Sequence, residues 1–206
     1  MKDNKLRMYW LDAYEDPYNQ PGVLYLFGKV LVAPNTFASC CCVVRNLERV
    51  AFVLPRERES GERFGVKDVY QELATSVMPR VLRGKAKMRV RPVRKNYCFE
   101  EGGVPREETE YLELRYPATC PPLGMQQTGR TFSKIFGTHT SCMENFILSR
   151  DLMGPGWIEL RNVTIPPTNT SWCKYQVCVN KPVHIVKVAS EEAASLVTPR
   201  VRARAQ

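Results

Sequence analysis

The sequence lacks several features that mark membrane proteins and common enzyme classes. Its 206 residues contain no apolar run of about 18 residues, which is roughly the shortest stretch that crosses a bilayer as a helix. The first residues, MKDNKLRMYW, carry charge but no apolar segment of the kind found in secretory signals. A phosphate-binding loop of the GxxxxGK[ST] type is absent, as is any CxxC pair. We therefore expect neither a membrane span, nor secretion, nor P-loop chemistry.

Histidine is scarce and cysteine is not arranged for metal binding. There are two histidines, His139 and His184, and eight cysteines, of which residues 40–42 are adjacent. Cys173 and Cys178 are five positions apart, whereas zinc sites use tighter paired spacings. The cysteines also lack the framework of a small disulfide-rich domain. We expect reduced, buried thiols and no metal in this chain.

Nucleophilic catalysis has one weak candidate, Cys142 with His139. Such a pair needs a positioned base and an oxyanion pocket. His139 stands just before a predicted helix start, where a turn residue is the simpler interpretation. Nothing in the sequence indicates an independent enzyme.

Positive charge is concentrated in one stretch of the chain. The net charge is +9, and residues 80–95 contain eight basic side chains and no acidic one. A patch of this kind favours a polyanion, with nucleic acid as the first candidate. The predicted nucleic-acid-binding residues are Lys85, Lys87, Arg89, Arg91, Arg94 and Lys95.

The same stretch has a second interpretation. Basic residues alternate with Ala86, Met88 and Val90, which predicts a strand with one polar and one apolar face. Its cations could then pair with acidic residues on the neighbouring predicted strand, which are Glu108, Glu110 and Glu113. In that case the basic face would be a solvated surface or a surface that docks another domain. The RNP1 pattern is absent from residues 109–116, which argues against sequence-specific readout by stacking.

Hydrophobic periodicity predicts many strands and two main helices. The first helix would bury a face formed by Val66, Val69, Tyr70, Leu73 and Val77, with Pro79 kinking or ending it. The second would start at Ser141 with Glu144 completing a capping box, bury Met143, Phe146 and Ile147, and stop at Gly154 and Pro155.

The predicted fold class is α+β. From Glu48 to Leu160 the predicted order is strand, helix, strand, strand, helix, strand. This is the βαββαβ order of ferredoxin-like and RNA-recognition-like folds, with both helices on one face of an antiparallel sheet. Two further sets of strands would be added to this core. The first is an N-terminal antiparallel meander with strands at 23–32, 37–45 and 48–55. The second is a C-terminal hairpin with strands at 172–179 and 183–188.

Several collinear blocks resemble one protein family. They are YWLDAYEDPYNQPGVLYLFGKV (9–30), RNLERVAFVLPRE (45–57), VKDVY (66–70), KNYCFE (95–100), EYLELRY (110–116), TFSKIFGTHTSCMENFILSR (131–150), GPGWIEL (154–160) and SWCK (171–174). In order and spacing they are similar to the N-terminal domain of DNA polymerase alpha catalytic subunits, the eukaryotic family B replicative polymerases.

This resemblance implies a domain over residues 1–188 that precedes an exonuclease-like domain, with residues 189–206 as a disordered non-family tail. Such a domain is a non-catalytic scaffold and template-side nucleic-acid-binding domain in a nuclear enzyme that extends RNA primers with DNA. The implied partners are the DNA template, the RNA–DNA primer, primase subunits and the polymerase accessory subunit. The polymerase motifs SLYPS and YGDTD do not occur here, so this chain alone is predicted to be inactive.

In the whole enzyme, Mg²⁺ would lie in the palm and zinc in the C-terminal domain, outside this chain. We also expect exposed apolar residues where a neighbouring domain would pack. The alternative is a free-standing nucleic-acid-binding module that acts through the basic strand.

Overall fold

The computed structural model describes residues 4–84, 86–96, 102–124, 127–196 and 199. The described chain is mixed α+β and mostly strand, as predicted. The strands are β1 Leu6–Glu15, β2 Leu24–Ala33, β3 Thr36–Val44, β4 Glu48–Pro55, β5 Arg89–Lys95, β6 Thr109–Pro117, β7 Phe132–Phe136, β8 Gly156–Leu160, β9 Tyr175–Val179 and β10 Ile185–Lys187. The helices are α1 Val66–Glu72, α2 Cys142–Arg150 and α3 Ser190–Ala194.

The chain divides into two compact units. The first combines Met1–Leu47 with Met143–Gln206, and the second is the continuous segment Glu48–Cys142. The first unit contains a mixed six-stranded sheet in the order β10-β8-β1-β2-β3-β9, and the second contains a four-stranded antiparallel sheet in the order β5-β6-β4-β7.

The N-terminal meander is present, but with different members. Strands β1, β2 and β3 pair antiparallel in succession. The predicted third member, residues 48–55, is β4 and belongs to the four-stranded sheet. The predicted C-terminal hairpin is wrong: β9 runs parallel to β3, and β10 pairs with β8 at the opposite edge. A 3₁₀ turn at Pro182–His184 follows β9 and precedes β10.

A close backbone approach requires a glycine in β2. The register between β1 and β2 shifts between Trp10 and Asp12, which is typical of a β-bulge. At Gly28 an added Cβ would lie 2.2 Å from the carbonyl oxygen of Tyr9 and 2.9 Å from the Cα of Trp10. No side chain fits at this position unless the β1 backbone moves.

The second unit has its main core between α1 and the four-stranded sheet. Val69 and Leu73 are fully buried there, as predicted, together with Val53 and Leu114. Tyr70 was predicted to share this face but is 44% exposed, while Val66 and Val77 are half-buried against the core. After α1 the chain continues as a π-helical turn, Leu73–Val77, and ends in a 3₁₀ turn, Met78–Arg80, that contains Pro79.

The predicted βαββαβ core over Glu48–Leu160 is correct only in its first half. Strand β4, helix α1 and strands β5 and β6 follow the expected order, but β7 pairs with β4 before α2 begins. Since β4 then lies between β6 and β7, it has no free edge for β8. Strand β8 instead pairs with β1 and β10, where Ile158 and Leu160 are fully buried.

The start of α2 is held by a residue from far away in the sequence. The backbone N–H of Met143 donates to Oε2 of Glu15, at 2.8 Å. The capping box predicted for Ser141 and Glu144 stays a prediction. Within the predicted apolar face, Phe146 is buried while Met143 and Ile147 are half-buried.

Helix α3 lies near the C-terminal end of the described residues, and its Glu192 pairs with Arg7. Residues 197–198 and 200–206 lie outside the described residues, so a disordered tail over 189–206 stays a prediction. Exposed apolar side chains do occur, as expected; Met153, Ile165 and Trp172 are 74%, 75% and 104% exposed.

Glu72, the last residue of α1, holds the loop that leads into β7. Its carboxylate accepts hydrogen bonds from the backbone N–H groups of Arg130 and Thr131, each at 2.7 Å, and from the Thr131 hydroxyl. Partial burial by itself would raise the pKa of Glu72, but these hydrogen bonds outweigh it and the pKa lies below its ordinary value.

We expect Glu72→Ala to lower the free energy of unfolding at neutral pH by about 2 kcal/mol, because three donors lose a charged acceptor. Since the folded pKa is lowered, this stabilisation is present above the unfolded carboxyl pKa and is lost as the pH falls through the folded value. Urea unfolding at about pH 7 and about pH 3 should show the gap to wild type closing in acid. Glu59→Ala, at an exposed position, is the control. An equal gap at both pH values would contradict the role of the ionised carboxylate.

Candidate nucleic-acid interface

The predicted basic stretch forms β5, an edge strand of the four-stranded sheet. Met88 is 6% exposed and packs with Ala86 and Val90 against the core, so the predicted apolar face is confirmed. Arg89 and Arg91 lie on the opposite face, and their side chains are 70% and 64% exposed. This outer face is defined by Phe52, Arg89, Arg91, Glu113, Arg115 and their neighbours, which register together across β4, β5 and β6.

The other predicted binding residues are distributed differently. Lys87 is exposed and precedes the strand, and Lys95 is exposed at its end. Arg94 is exposed but, by strand alternation, does not share the face of Arg91. Lys85 lies outside the described residues. Neither Lys87 nor Arg94 makes a hydrogen bond or ion pair with another described residue.

An ion-pair network occupies the middle of the outer face. Oε1 of Glu113 accepts from Nε of Arg91 at 2.7 Å and from Nε of Arg115 at 2.6 Å, and Arg89 pairs with Glu48 at 2.6 Å. Burial by itself would raise the pKa of Glu113, but the hydrogen bonds from Arg115 and Arg91 outweigh it and lower the pKa. The expected cross-strand pairing is thus present at Glu113.

The rest of the expected pairing differs from the prediction. Glu110 lies opposite Arg94 in the register, but no ion pair joins them. Glu48, which was not among the predicted partners, pairs with Arg89. Two predicted binding residues therefore already have carboxylate partners, although both remain largely open to solvent.

The position of β5 gives its charges a structural role as well. Pro92 lies in the middle of the strand, where the missing N–H is tolerated only at an edge or a bulge. Proline and charged side chains on an edge strand also prevent pairing with other chains. Part of the basic pattern is therefore explained without any ligand.

An aromatic group on the outer face was not identified from the sequence. Phe52 is half-buried in the centre of β4, and its ring centroid lies 5.7 Å from that of Phe136, which contacts Tyr111 at 5.3 Å. Nζ of Lys95 lies 4.3 Å from the centroid of the Phe52 ring. The alternation of Ala51, Phe52 and Val53 carried the signal, because it places Phe52 on the face opposite the main core, where it packs with Leu54, Tyr111 and Phe136.

The sum of charges on this face is positive. Five cationic side chains share it with two carboxylates; they are Arg89, Arg91, Lys95, Arg115 and Lys134, against Glu48 and Glu113. Protein surfaces that bind single-stranded nucleic acid combine aromatic rings with an excess of cations in this way.

Other chemical candidates gain no support from the structure. Burial raises the pKa of Cys40 to about 12 and that of Cys41 to about 11, so these thiols stay protonated at neutral pH. Cys142 is buried at the start of α2, while His139 is exposed. Among the described residues no cluster of three or more His, Cys, Asp or Glu side chains could hold a metal ion.

Within the same residues, every helix is too short or too polar to cross a membrane.

Comparison with known proteins gives consistent matches. The chain is 42% identical over 194 residues to the DNA polymerase alpha catalytic subunit of Xenopus laevis, and 44% identical over 195 residues to that of Mus musculus. The Arabidopsis thaliana subunit is 34% identical over 214 residues. This chain is homologous to a region of the DNA polymerase alpha catalytic subunit. The alignments cover 88%, 89% and 92% of the chain, but only 13–14% of the relatives.

A solved family B DNA polymerase, from the archaeon Pyrobaculum calidifontis, is similar to the chain in fold. The TM-score is 0.51 with 12% identity, and the match covers 84% of this chain and 20% of that one. At this identity the likeness concerns the fold alone. No protein-family model matches the chain. The resemblance to DNA polymerase alpha is confirmed by the sequence matches.

Proposed function

We propose that this chain is the non-catalytic N-terminal scaffold and template-side nucleic-acid-binding domain of a DNA polymerase alpha catalytic subunit. The observation that carries this is the collinear identity of 42–44% with the vertebrate subunits over most of the chain. In this proposal residues 1–188 form the domain, and residues 189–206 are a disordered tail that does not belong to the family.

The whole enzyme would extend RNA primers with DNA at replication initiation and on the lagging strand, in the nucleus. Its Mg²⁺ ions would lie in the palm and its zinc in the C-terminal domain. Primase subunits, the accessory subunit, the DNA template and the RNA–DNA primer would be its partners. This chain would contribute structure and a charged surface, and by itself would incorporate no nucleotide.

The second unit supplies the surface in this proposal. Strand β4, helix α1, and strands β5 and β6 would be a partial RNA-recognition-like module in which β7 completes the sheet. The predicted binding residues are Lys85, Lys87, Arg89, Arg91, Arg94 and Lys95. Lys87 and Arg94 are the most available for phosphate, since neither has an ion-pair partner among the described residues.

The experiment is the salt dependence of binding to a single strand. With an oligothymidine of roughly 20 nucleotides, log K should fall linearly as log salt rises, with a slope of about −0.7 for each phosphate contact. The triple variant Lys87→Gln, Arg94→Gln, Lys95→Gln should reduce the magnitude of that slope by about 2. Fluorescence anisotropy between about 50 and 200 mM NaCl measures it.

A control variant removes the same number of positive charges from other surfaces of the protein. Lys5, Lys67 and Lys181 are exposed, and replacing all three with Gln removes the same charge from other surfaces. This control should leave the slope unchanged. Equal slopes for both triple variants would show that binding follows net charge alone and would contradict the assigned surface. Absence of binding at low salt would exclude the free-standing module.

A further inference from the structure

Phe52 has the surroundings of a stacking platform. It lies on the central strand β4, its ring is half-buried, and Phe136 supports it from β7. Phe136 in turn contacts Tyr111, and both are nearly fully buried, at 5% and 1% exposure. Both lie on the same face of the sheet as Phe52 and pack beside it, so the ring is held from the side while the residue stays partly exposed.

The cations of the outer face surround this ring. Lys95 lies over it, and Arg91 belongs to the same cross-strand row, since Phe52 and Arg91 both register with Glu113. The excess of positive over negative side chains on this face suits a polyanion. The partly exposed aromatic residue beside these cations favours nucleic acid over an acidic peptide, because bases can stack on it.

We propose that Phe52 stacks against a base of single-stranded nucleic acid, with Lys95 and Arg91 contacting the adjoining phosphates. This inference rests on the proposed nucleic-acid-binding function and names the class of ligand and a specific contact. Duplex DNA is excluded as the ligand of this contact, because its bases already stack on each other. The contact is indifferent to sequence, since every base has a π-face.

Lys95 must move when a base enters. In the free protein its ammonium group lies 4.3 Å from the ring centroid, the distance of a cation–π contact. A base that enters replaces this contact with stacking, and the displaced ammonium group is left beside the phosphate that follows. Gly137 borders the ring without a side chain; a Cβ there would lie 3.3 Å from Cδ2 of Phe52.

The test compares Phe52→Leu, Phe52→Tyr and wild type in the full chain. The probes are oligothymidine of roughly 20 nucleotides and an abasic oligomer of the same length, which keeps the phosphates and lacks the bases. We expect Phe52→Leu to weaken binding to oligothymidine about tenfold and to leave binding to the abasic oligomer unchanged. Phe52→Tyr should retain wild-type affinity, since it keeps the aromatic face.

Phe64→Leu is the matched control, because Phe64 also lies beneath a cation, with the Arg58 guanidinium 4.7 Å from its centroid, but away from the outer face. It should not change binding. If Phe52→Leu weakens binding to both probes equally, or to neither, the stacking contact is wrong. The proposed function would still hold if the salt slope of binding depends on Lys87, Arg94 and Lys95. If wild type binds no oligonucleotide at all, the stacking contact fails together with the nucleic-acid-binding part of the proposed function, and only the scaffold role remains. The stacking contact would also be overturned if Phe52→Leu lowered the affinity for duplex DNA as much as it lowered the affinity for the single strand.

Discussion

Gly28→Ala should lower the free energy of unfolding by about 4 kcal/mol, which is at the high end for a single substitution. The added methyl would lie 2.2 Å from the Tyr9 carbonyl oxygen and 3.0 Å from the Tyr9 carbonyl carbon. These are backbone atoms, so no side-chain rotation relieves the clash. Strand β1 would have to move away from β2, which disturbs the pairing of both β2 and β8 with β1.

Urea denaturation followed by circular dichroism measures this loss. Gly102→Ala is the control, because an added Cβ at Gly102 meets no atom within 4 Å. That substitution should be neutral or stabilise slightly, by up to about 1 kcal/mol, through the unfolded state. Equal stability of the two variants would mean that β1 and β2 do not approach as described.

Glu113→Ala should lower the free energy of unfolding by about 3 kcal/mol, because it removes the shared acceptor of two guanidinium groups. Glu113 is 7% exposed, and the Arg115 side chain is 28% exposed. Arg115 would therefore stay partly buried with no opposite charge beside it. Arg91, at 64% exposure, can hydrate after the change and contributes less to the loss.

The loss should depend on pH in a defined direction. The folded pKa of Glu113 lies below the ordinary value of 4.5. Its contribution is therefore complete above that value and disappears as the pH falls through the folded pKa. Unfolding curves of wild type and Glu113→Ala should converge in acid. Glu110→Ala, at an exposed position on the same strand, should show little effect at any pH. A pH-independent gap at position 113 would contradict the ion-pair network.

Local pattern was a good guide to local structure in this chain. Alternation placed Met88 and Val90 toward the core and Arg89 and Arg91 toward solvent. The apolar period of α1 identified Val69 and Leu73 as buried. Each of these results depends on neighbours within a few residues, which periodicity reports directly.

Strand partners could not be read in the same way. The residues Trp157, Ile158 and Leu160 of β8 suit any buried strand, so their pattern does not say whether β4 or β1 lies beside them. Strand β9 pairs with β3 across more than a hundred residues of chain, and no local signal distinguishes that parallel pairing from a hairpin.

The candidate interface was predicted in part. The cations were visible as a run in the sequence, but their carboxylate partners were not, because Arg89 meets Glu48 through the pairing of β5 and β4 with β6. The sequence did not predict a role for Phe52, for a related reason. It is one aromatic residue in an apolar strand, and its importance comes from Lys95, which reaches it across the sheet.

The first unit is assembled from the two ends of the chain, with the whole of the second unit inserted between them. During synthesis, Glu48–Cys142 can therefore fold as soon as it leaves the ribosome, while the earlier strands β1 to β3 must wait. Until β8 and β9 are made, β1 and β3 present unpaired edges, which are prone to aggregation. Nascent β1 to β3 thus keeps two open edges until residues 156–179 have been made.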